Sequence, residues 1–317
     1  MPLALRLGSR PSALALAQAE IVRARIVAAA PDLSIDIVPI RTSGDRMTRA
    51  SLARSGGKGL FIKELEQALA DRKIDIAVHS MKDLPAVLPG RFRIAAVPER
   101  EDTGDALVTR DGAALHALPR GTRLGTSSIR RRYQAMRINP GLAIEPLRGN
   151  VDTRLNRVAD GGLDAIIVAI AGLKRLGRAT GVKYARLGED DFIPAGGQGA
   201  LAIEMLARPR TGPGAALEKA VVAINDPRAF YETAAERAFL ATLGASCTTP
   251  IGVRAAIADK RMMMRSILFS SDGKRELAGS IDEPLDTDLA PSAAEATGTR
   301  LAEQMLARGA GTMLTDA

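Results

Sequence analysis

Ile74-Asp75-Ile76-Ala77-Val78-His79-Ser80-Met81-Lys82-Asp83-Leu84-Pro85 is a short apolar, β-branched run that stops at a charged pair, with Pro85 closing off any helix beyond it. It reads as a buried strand. In open α/β sheets ligands lie beyond the carboxyl ends of strands, so Lys82 and Asp83 stand where chemistry is done; on these residues alone, an ion pair in a turn is an equal reading. The stretch has an echo later in the chain. Ala70-Asp71-Arg72-Lys73-Ile74-Asp75-Ile76-Ala77-Val78 aligns with Ala159-Asp160-Gly161-Gly162-Leu163-Asp164-Ala165-Ile166-Ile167. Upstream, Arg6-Leu7-Gly8-Ser9-Arg10-Pro11-Ser12 aligns with Arg123-Leu124-Gly125-Thr126-Ser127-Ser128. Basic glycine turns, Gly57-Lys58-Gly59 and Arg148-Gly149-Asn150, open the helix-like stretch before each apolar run. The same order twice predicts two α/β lobes of similar build.

A chain of 317 residues, 46% of them hydrophobic, is too long for one ordinary core and rich enough to fill several. The longest apolar run, 165–173, is too short to cross a bilayer, so no membrane partner is expected. Met1-Pro2-Leu3-Ala4-Leu5-Arg6 lacks the charged start and long apolar stretch of a signal peptide. The single cysteine, Cys247, rules out an internal disulfide framework and fits a reducing compartment. The expectation is a soluble cytoplasmic protein with no need of a state beyond the monomer. No metal is expected, because His79, His116 and Cys247 lack ligand spacing, and His79 reads as a strand-end packing residue. Gly56-Gly57-Lys58-Gly59 has the spacing of neither a Walker nor a dinucleotide loop.

The net charge of +8 is concentrated. Between Arg120 and Arg157 lie nine arginines and no lysine, against only Glu145 and Asp152, which accounts for +7 of it. The planar fork of arginine suits carboxylate or phosphate, so an anionic partner is expected, with about half of these arginines read as solvated surface. Nucleic acid is disfavoured, because base stacking needs aromatics and the chain has 3% of them and no Trp. A small polyanion fits better. Helix N-termini at the hydroxyl-rich turns would serve it from both lobes across a cleft, although Ser or Thr at any one of them is by default an ordinary N-cap.

Two polar segments, Pro98-Glu99-Arg100-Glu101-Asp102-Thr103-Gly104 and Pro194-Ala195-Gly196-Gly197-Gln198-Gly199, read as paired crossings. Ala200-Leu201-Ala202-Ile203 would then return to the first lobe's sheet. Asn225-Asp226-Pro227 starts a helix, with Asp226 as N-cap, Pro227 first, Phe230, Ala234, Ala238 and Ala241 at helical spacing, and Gly244 as its stop. Cys247 follows in Gly244-Ala245-Ser246-Cys247-Thr248-Thr249-Pro250-Ile251-Gly252, where it reads either as a small buried apolar residue or as a thiol kept for covalent use. Alternation at Arg265-Ser266-Ile267-Leu268-Phe269 and a last helix near 293–308, followed by a fraying tail, complete a small α+β domain.

At these residues the chain resembles the porphobilinogen deaminase family. The resemblance is carried by Leu7-Gly8-Ser9-Arg10 with Ser12, Gly56-Gly57-Lys58-Gly59-Leu60-Phe61, and His79-Ser80-Met81-Lys82-Asp83-Leu84-Pro85. It continues through Gly125-Thr126-Ser127-Ser128-Ile129-Arg130-Arg131, Leu147-Arg148-Gly149-Asn150-Val151-Asp152-Thr153-Arg154, Ala171-Gly172-Leu173-Lys174-Arg175, Gln198-Gly199, and Ala235-Glu236-Arg237-Ala238-Phe239 leading into Cys247. It implies an α/β fold of two periplasmic-binding-protein-like lobes with crossing connections plus a small C-terminal α+β domain. The lobes would be 1–98 with 198–218, and 99–197; the C-terminal domain would be 219–317. It implies a transferase that joins four porphobilinogens head to tail, with loss of ammonia, on a dipyrromethane cofactor held by a thioether to Cys247. Each pyrrole ring brings an acetate and a propionate, which gives the arginines their purpose. By resemblance, Lys82, Thr126, Ser127, Ser128, Arg130 and Arg131 bind the cofactor. Arg10, Ser12, Phe61, Arg148, Arg154, Arg175 and Gln198 hold substrate, Arg54 and Lys58 belong to a mobile loop, and Asp83 is the catalytic group facing the cations that form. Ala245-Ser246 and Thr249 depart from the family's usual Gly-Gly and Val or Ile around the cysteine, and Arg54 stands where many members have Lys.

Overall fold

The computed structural model describes residues 3–43, 62–208, 213–246, 248–285 and 291–315; Arg54, Lys58, Phe61 and Cys247 lie outside them. The chain divides into two compact units, Met1–Arg100 with Ala200–Tyr231, and Glu101–Gly199 with Glu232–Ala317.

The first unit opens with β1 (Leu3–Ser9), α1 (Ala13–Ala29) and β2 (Leu33–Pro39). Ser12 caps α1 by accepting from the Ala15 N–H at 3.3 Å. Helix α2 (Lys63–Ala70), β3 (Ile76–Ser80) and β4 (Phe92–Ala96) follow. The chain then builds the second unit: β5 (Asp105–Thr109), β6 (Arg123–Gly125), α3 (Ile129–Ile138), β7 (Ala143–Glu145), α4 (Val151–Ala159), β8 (Ala165–Ala169), α5 (Ile170–Arg175) and β9 (Tyr184–Leu187). It returns as β10 (Leu201–Leu206), which inserts antiparallel between β3 and β4, as Ala200–Ile203 led one to expect. Helix α6 (Pro213–Val222) packs on this sheet, where Val221 and Ile224, beyond residue 218, join a core built on Leu5, Leu7, Ile26 and Ile203.

The sheets run β2-β1-β3-β10-β4 and β7-β6-β8-β5-β9, the same order with the fourth strand antiparallel in each. Alternate residues of β8 feed opposite faces, Ile166 and Val168 one core and Ala165 and Ile167 the other, which is why 165–168 reads as a continuous apolar run. These are the two α/β lobes of similar build that the repeated order in the sequence predicts.

The echo in sequence is an echo in contacts. The Arg6 backbone N–H and Nε both donate to Asp75 Oδ2, at 2.9 and 3.0 Å, while the Asp75 N–H returns to the Arg6 carbonyl at 2.8 Å. Arg123 does the same to Asp164 Oδ2, at 2.8 and 3.1 Å, with the return bond at 3.1 Å. A Cβ on Gly8 would stand 2.3 Å from Ile74 Cδ1, and one on Gly125 would stand 2.4 Å from Leu163 Cδ1. In both units the first strand thus passes close against the residue that leads into the third, at a glycine.

Helix α7 (Pro227–Thr242) begins as expected, with Asp226 Oδ1 accepting from the Ala229 N–H at 2.7 Å, and Gly244 beyond its end adopts φ +65°. Its buried face is not the alanine row read from spacing. Glu232, Thr233, Ala235, Glu236 and Phe239 are buried, while Ala234, Ala238 and Ala241 are half-buried. The glutamates tolerate burial because backbone N–H groups of Gly197, Ala255 and Ile257 bond to them. Strands β11 (Ile251–Ala258), β12 (Arg261–Phe269) and β13 (Glu276–Pro284) form an antiparallel meander, covered by α8 (Ser292–Ala307). The tail is not frayed as expected: α9 (Ala310–Thr315) buries Ala310 and Met313.

Candidate functional site

In the first unit, parallel pairing of β1 with β3 brings their carboxyl ends to one sheet edge. Arg10 and Ser12 follow β1 there, and Lys82 and Asp83 occupy a single 3₁₀ turn after β3. That edge is firmly seated. The Met81 N–H donates to the Ala200 carbonyl at 3.0 Å, Ser80 and Gln18 exchange side-chain bonds, and His79 Nε2 lies 3.0 Å from Glu204 Oε2 with both residues buried. His79 is thus a packed strand-end residue, as read. Burial, and then the charge of Glu204, raise the carboxyl of Glu66 on α2 above its ordinary value. Asp83 is exposed and makes no hydrogen bond or ion pair among the described residues, so its carboxylate is available to a cation. Lys82 is half-buried.

In the second unit β6, β7 and β8 are parallel; the turns after β6 and β7 carry Thr126 to Ser128 and Arg148, and helix α5 after β8 ends on Arg175. Ser127 ties two of these turns together: its hydroxyl donates to the Leu147 carbonyl at 2.8 Å and accepts from the Leu147 N–H at 3.1 Å. Ser128 caps α3 by accepting from the Arg131 N–H. Thr126 is buried, and its hydroxyl accepts from the Ser128 N–H at 3.2 Å. Asn150 caps α4, and Arg154 Nε donates to the Gly149 carbonyl at 2.9 Å, beside an exposed Arg148.

Arg130 and Arg131 are not on the surface. Their side chains keep only 6% and 8% of their exposure and share one acid, the fully buried Asp105. Arg130 Nη2 donates to Oδ2 at 2.8 Å; Arg131 Nε and Nη2 donate to Oδ1 at 3.1 and 2.6 Å. Each arginine also bonds a carbonyl, Ile193 for Arg130 and Ile167 for Arg131. Burial lowers the Arg130 guanidinium from its ordinary value; Asp105 opposes the shift and the charge of Arg131 adds to it. An arginine stays protonated through such a shift, so two buried cations face one buried anion. The residual positive charge suits a carboxylate ligand. Gln198, also buried, gives its amide to Thr103 O at 2.8 Å and Asp105 Oδ1 at 3.0 Å. Arg175 Nη2 donates to the Gly199 carbonyl at 2.6 Å.

The structure therefore gathers Arg10, Ser12, Lys82 and Asp83 at one edge, and Thr126, Ser127, Ser128, Arg130, Arg131, Arg148, Arg154 and Arg175 at the other. Asp105 was missed by sequence reasoning. Its signal was present: an acid heading the apolar run Ala106-Leu107-Val108, ahead of a long stretch of arginines with almost no acids of its own. Among the described residues no group of His, Cys, Asp and Glu is placed to hold a metal ion, and no helix is long and apolar enough to cross a membrane.

Residues 5–211 match the family profile described as porphobilinogen deaminase, dipyromethane cofactor binding domain, and residues 230–307 match its C-terminal domain. The chain belongs to the porphobilinogen deaminase family. It is 45% identical to porphobilinogen deaminase of Syntrophotalea carbinolica over 98% of this chain and 95% of that one. It is 44% identical to that of Chromobacterium violaceum over 96% and 94%. A probable amino-acid ABC transporter extracellular-binding protein of Bacillus subtilis is similar in structure with a TM-score of 0.42, at 13% identity over 71% of this chain and 92% of that one. As a member of that family, the chain is a transferase of tetrapyrrole biosynthesis that condenses porphobilinogen, and it carries the family's dipyrromethane-binding domain.

Proposed function

We propose that the chain adds four porphobilinogens head to tail, with loss of ammonia at each addition, and that water then cleaves the tetrapyrrole from the cofactor and supplies the hydroxyl of hydroxymethylbilane; the chain works as a cytoplasmic monomer with a dipyrromethane joined by a thioether to Cys247. When bound, that group supplies the free pyrrole carbon onto which the first substrate is coupled. The observation that carries the reading is the pair of buried guanidiniums sharing one carboxylate within the segment matched to the cofactor-binding domain. A net buried positive charge is costly unless an anion completes it, and pyrrole acetate and propionate groups are such anions.

In this reading Arg130 and Arg131, with the hydroxyls of Thr126, Ser127 and Ser128 and the ammonium of Lys82, hold the cofactor's carboxylates. The substrate is held by Arg10, Ser12, Phe61, Arg148, Arg154, Arg175 and Gln198, with the arginines on its carboxylates. Charge-assisted bonds contribute about 1.5–3 kcal/mol each, so a few well-aimed arginines retain a polycarboxylate through several steps. Asp83 has the opposite task. Departure of ammonia from the aminomethyl group leaves a cation, which an arginine-lined site disfavours. The exposed Asp83 carboxylate stabilises it and then accepts the proton shed when the new carbon–carbon bond forms.

Intact-mass measurement tests the covalent claim. The purified protein should carry the mass of two pyrrole rings, and Cys247→Ala should lack it; catalytically active protein of unmodified mass would refute it. Native mass spectrometry of the same sample reports whether it is a monomer.

A further inference from the structure

The acid that the two buried arginines share is, in the reading above, no ligand of substrate or cofactor. Among the described residues it is the sole acid bonded to Arg130 and Arg131, and each of its oxygens takes a different guanidinium. The other anchors are carbonyls, Ile193 and Ile167, which fix direction and bring no formal charge. Asp105 heads β5 and is itself seated by the Gln198 amide. The loop carrying Gln198 is held in turn, since the Gly197 N–H donates to Glu236 Oε2 at 2.6 Å and the other Glu236 oxygen accepts from the Ala255 N–H at 2.9 Å. A run of buried bonds therefore leads from helix α7, through Gln198, to the arginine pair.

We infer that Asp105 is a positioning residue, which sets both the aim of Arg130 and Arg131 and the net charge they present, leaving one uncompensated positive charge for a single carboxylate. Without it two like charges on consecutive residues would repel, each guanidinium would turn toward its remaining carbonyl, and the planar forks would lose their common orientation. Gln198 then acts on the same carboxylate from behind. The inference rests on the functional reading above, in which these arginines hold the cofactor.

The test is Asp105→Asn, which keeps the shape and one acceptor oxygen but removes the charge. The fraction of chains carrying the two-pyrrole mass, kcat per loaded chain, KM for porphobilinogen and the unfolding midpoint are measured side by side with wild type. The expected result is a smaller loaded fraction and a kcat per loaded chain lower by on the order of tenfold or more, with KM within about twofold, because the arginines concerned hold the cofactor and not the incoming substrate. A lowered midpoint with wild-type loading and wild-type kcat per loaded chain would reduce Asp105 to a structural ion-pair partner and overturn the inference. If Asp105→Asn does not fold, Gln198→Leu leaves the ion pairs in place and removes the bond that seats the carboxylate. It should lower the loaded fraction in the same direction by a smaller factor, a readout that the substrate role given to Gln198 above does not move, and an unchanged loaded fraction there would equally overturn the inference. Wild-type protein that turns over without any adduct is a separate outcome. It refutes the thioether reading, and kcat per chain in the variants still decides the role of Asp105.

Discussion

Replacing Gly199 by Ala should damage the second unit far more than its backbone angle alone explains. Gly199 adopts φ +85°, and a Cβ there would stand 2.3 Å from the Glu101 carbonyl oxygen and 3.1 Å from that of Asp102. Both obstacles are backbone, so no rotamer change relieves them. The chain enters this unit at Glu101 and leaves it at Gly199, and the two ends are stitched by the Glu101 N–H donating to the Gly199 carbonyl at 3.1 Å. Making room for the methyl group pulls that bond apart, with the 2.6 Å bond from Arg175 to the same carbonyl. A neutral hydrogen bond contributes about 0.5–1.5 kcal/mol and one from a charged donor about 1.5–3 kcal/mol. The left-handed backbone adds about 1–2 kcal/mol for any residue but glycine. Gly121 is the matched control: its φ is +84° and a Cβ on it meets nothing within 4 Å. Gly121→Ala should cost only the backbone term, and Gly199→Ala should exceed it by about 2–4.5 kcal/mol. Urea unfolding followed by circular dichroism measures both, as a shift of midpoint at constant slope. If the two variants lie within about 1 kcal/mol of each other, the two chain ends are not held together as argued here.

Two further outcomes follow from named side chains. Asp83→Asn should leave the unfolding midpoint unchanged, because the carboxylate has no ion pair among the described residues, yet lower turnover by about 10²–10⁴-fold; ordinary turnover would remove Asp83 from its role. The Asp164 carboxyl is held down to about 2 by its side-chain bond from Arg123, so the pair's contribution is whole above the ordinary value near 3.8 and disappears as pH falls through about 2. With Asp164 46% exposed, solvent screening limits that contribution to about 0.2–1 kcal/mol. Asp164→Asn should therefore be less stable than wild type at pH 7 by that amount, with the gap closing between about pH 4 and 2. A gap constant across that range would show that the ion pair is not its cause.

What could be read in the sequence was what is local. The hydroxyl-rich turns after the Arg6 and Arg123 strands and the serine caps at 12 and 128 are fixed by neighbours a few residues away and stand in the structure where spacing placed them; the apolar run before Lys82-Asp83 is strand β3, while the run 165–173 divides into strand β8 and helix α5. The return of Ala200–Ile203 to the first sheet was legible because an apolar run after a glycine-rich segment has few places to go. The arginine pair was legible as a cluster and not as a geometry. Its partner lies 25 residues upstream on a strand that enters the sheet antiparallel, and pairing order is a property of the folded sheet. Glu232 and Glu236 misled in the opposite way. A helix is read by its apolar face, and nothing in the order of residues announces that backbone N–H groups of Gly197 and β11 will receive a carboxylate. The α9 turn escaped notice because Ala310 and Met313 are too few to show a period, though enough to be covered once α8 is in place.

The duplicated Arg–Asp latch has a consequence for how such a molecule could change over time. It sits at the amino ends of β3 and β8, while the residues assigned to binding and catalysis sit at the carboxyl ends. Frame and tools thus occupy opposite ends of the same strands, and drift at one end need not disturb the other. With Asp75 matched to Asp164, Lys82 and Asp83 fall against Ala171 and Gly172: one half has acquired an acid where its sibling kept small residues. Two copies of a scaffold, inherited intact, could in this way come to differ, one setting an acid among its cations and the other keeping cations alone, without renegotiating the architecture beneath them.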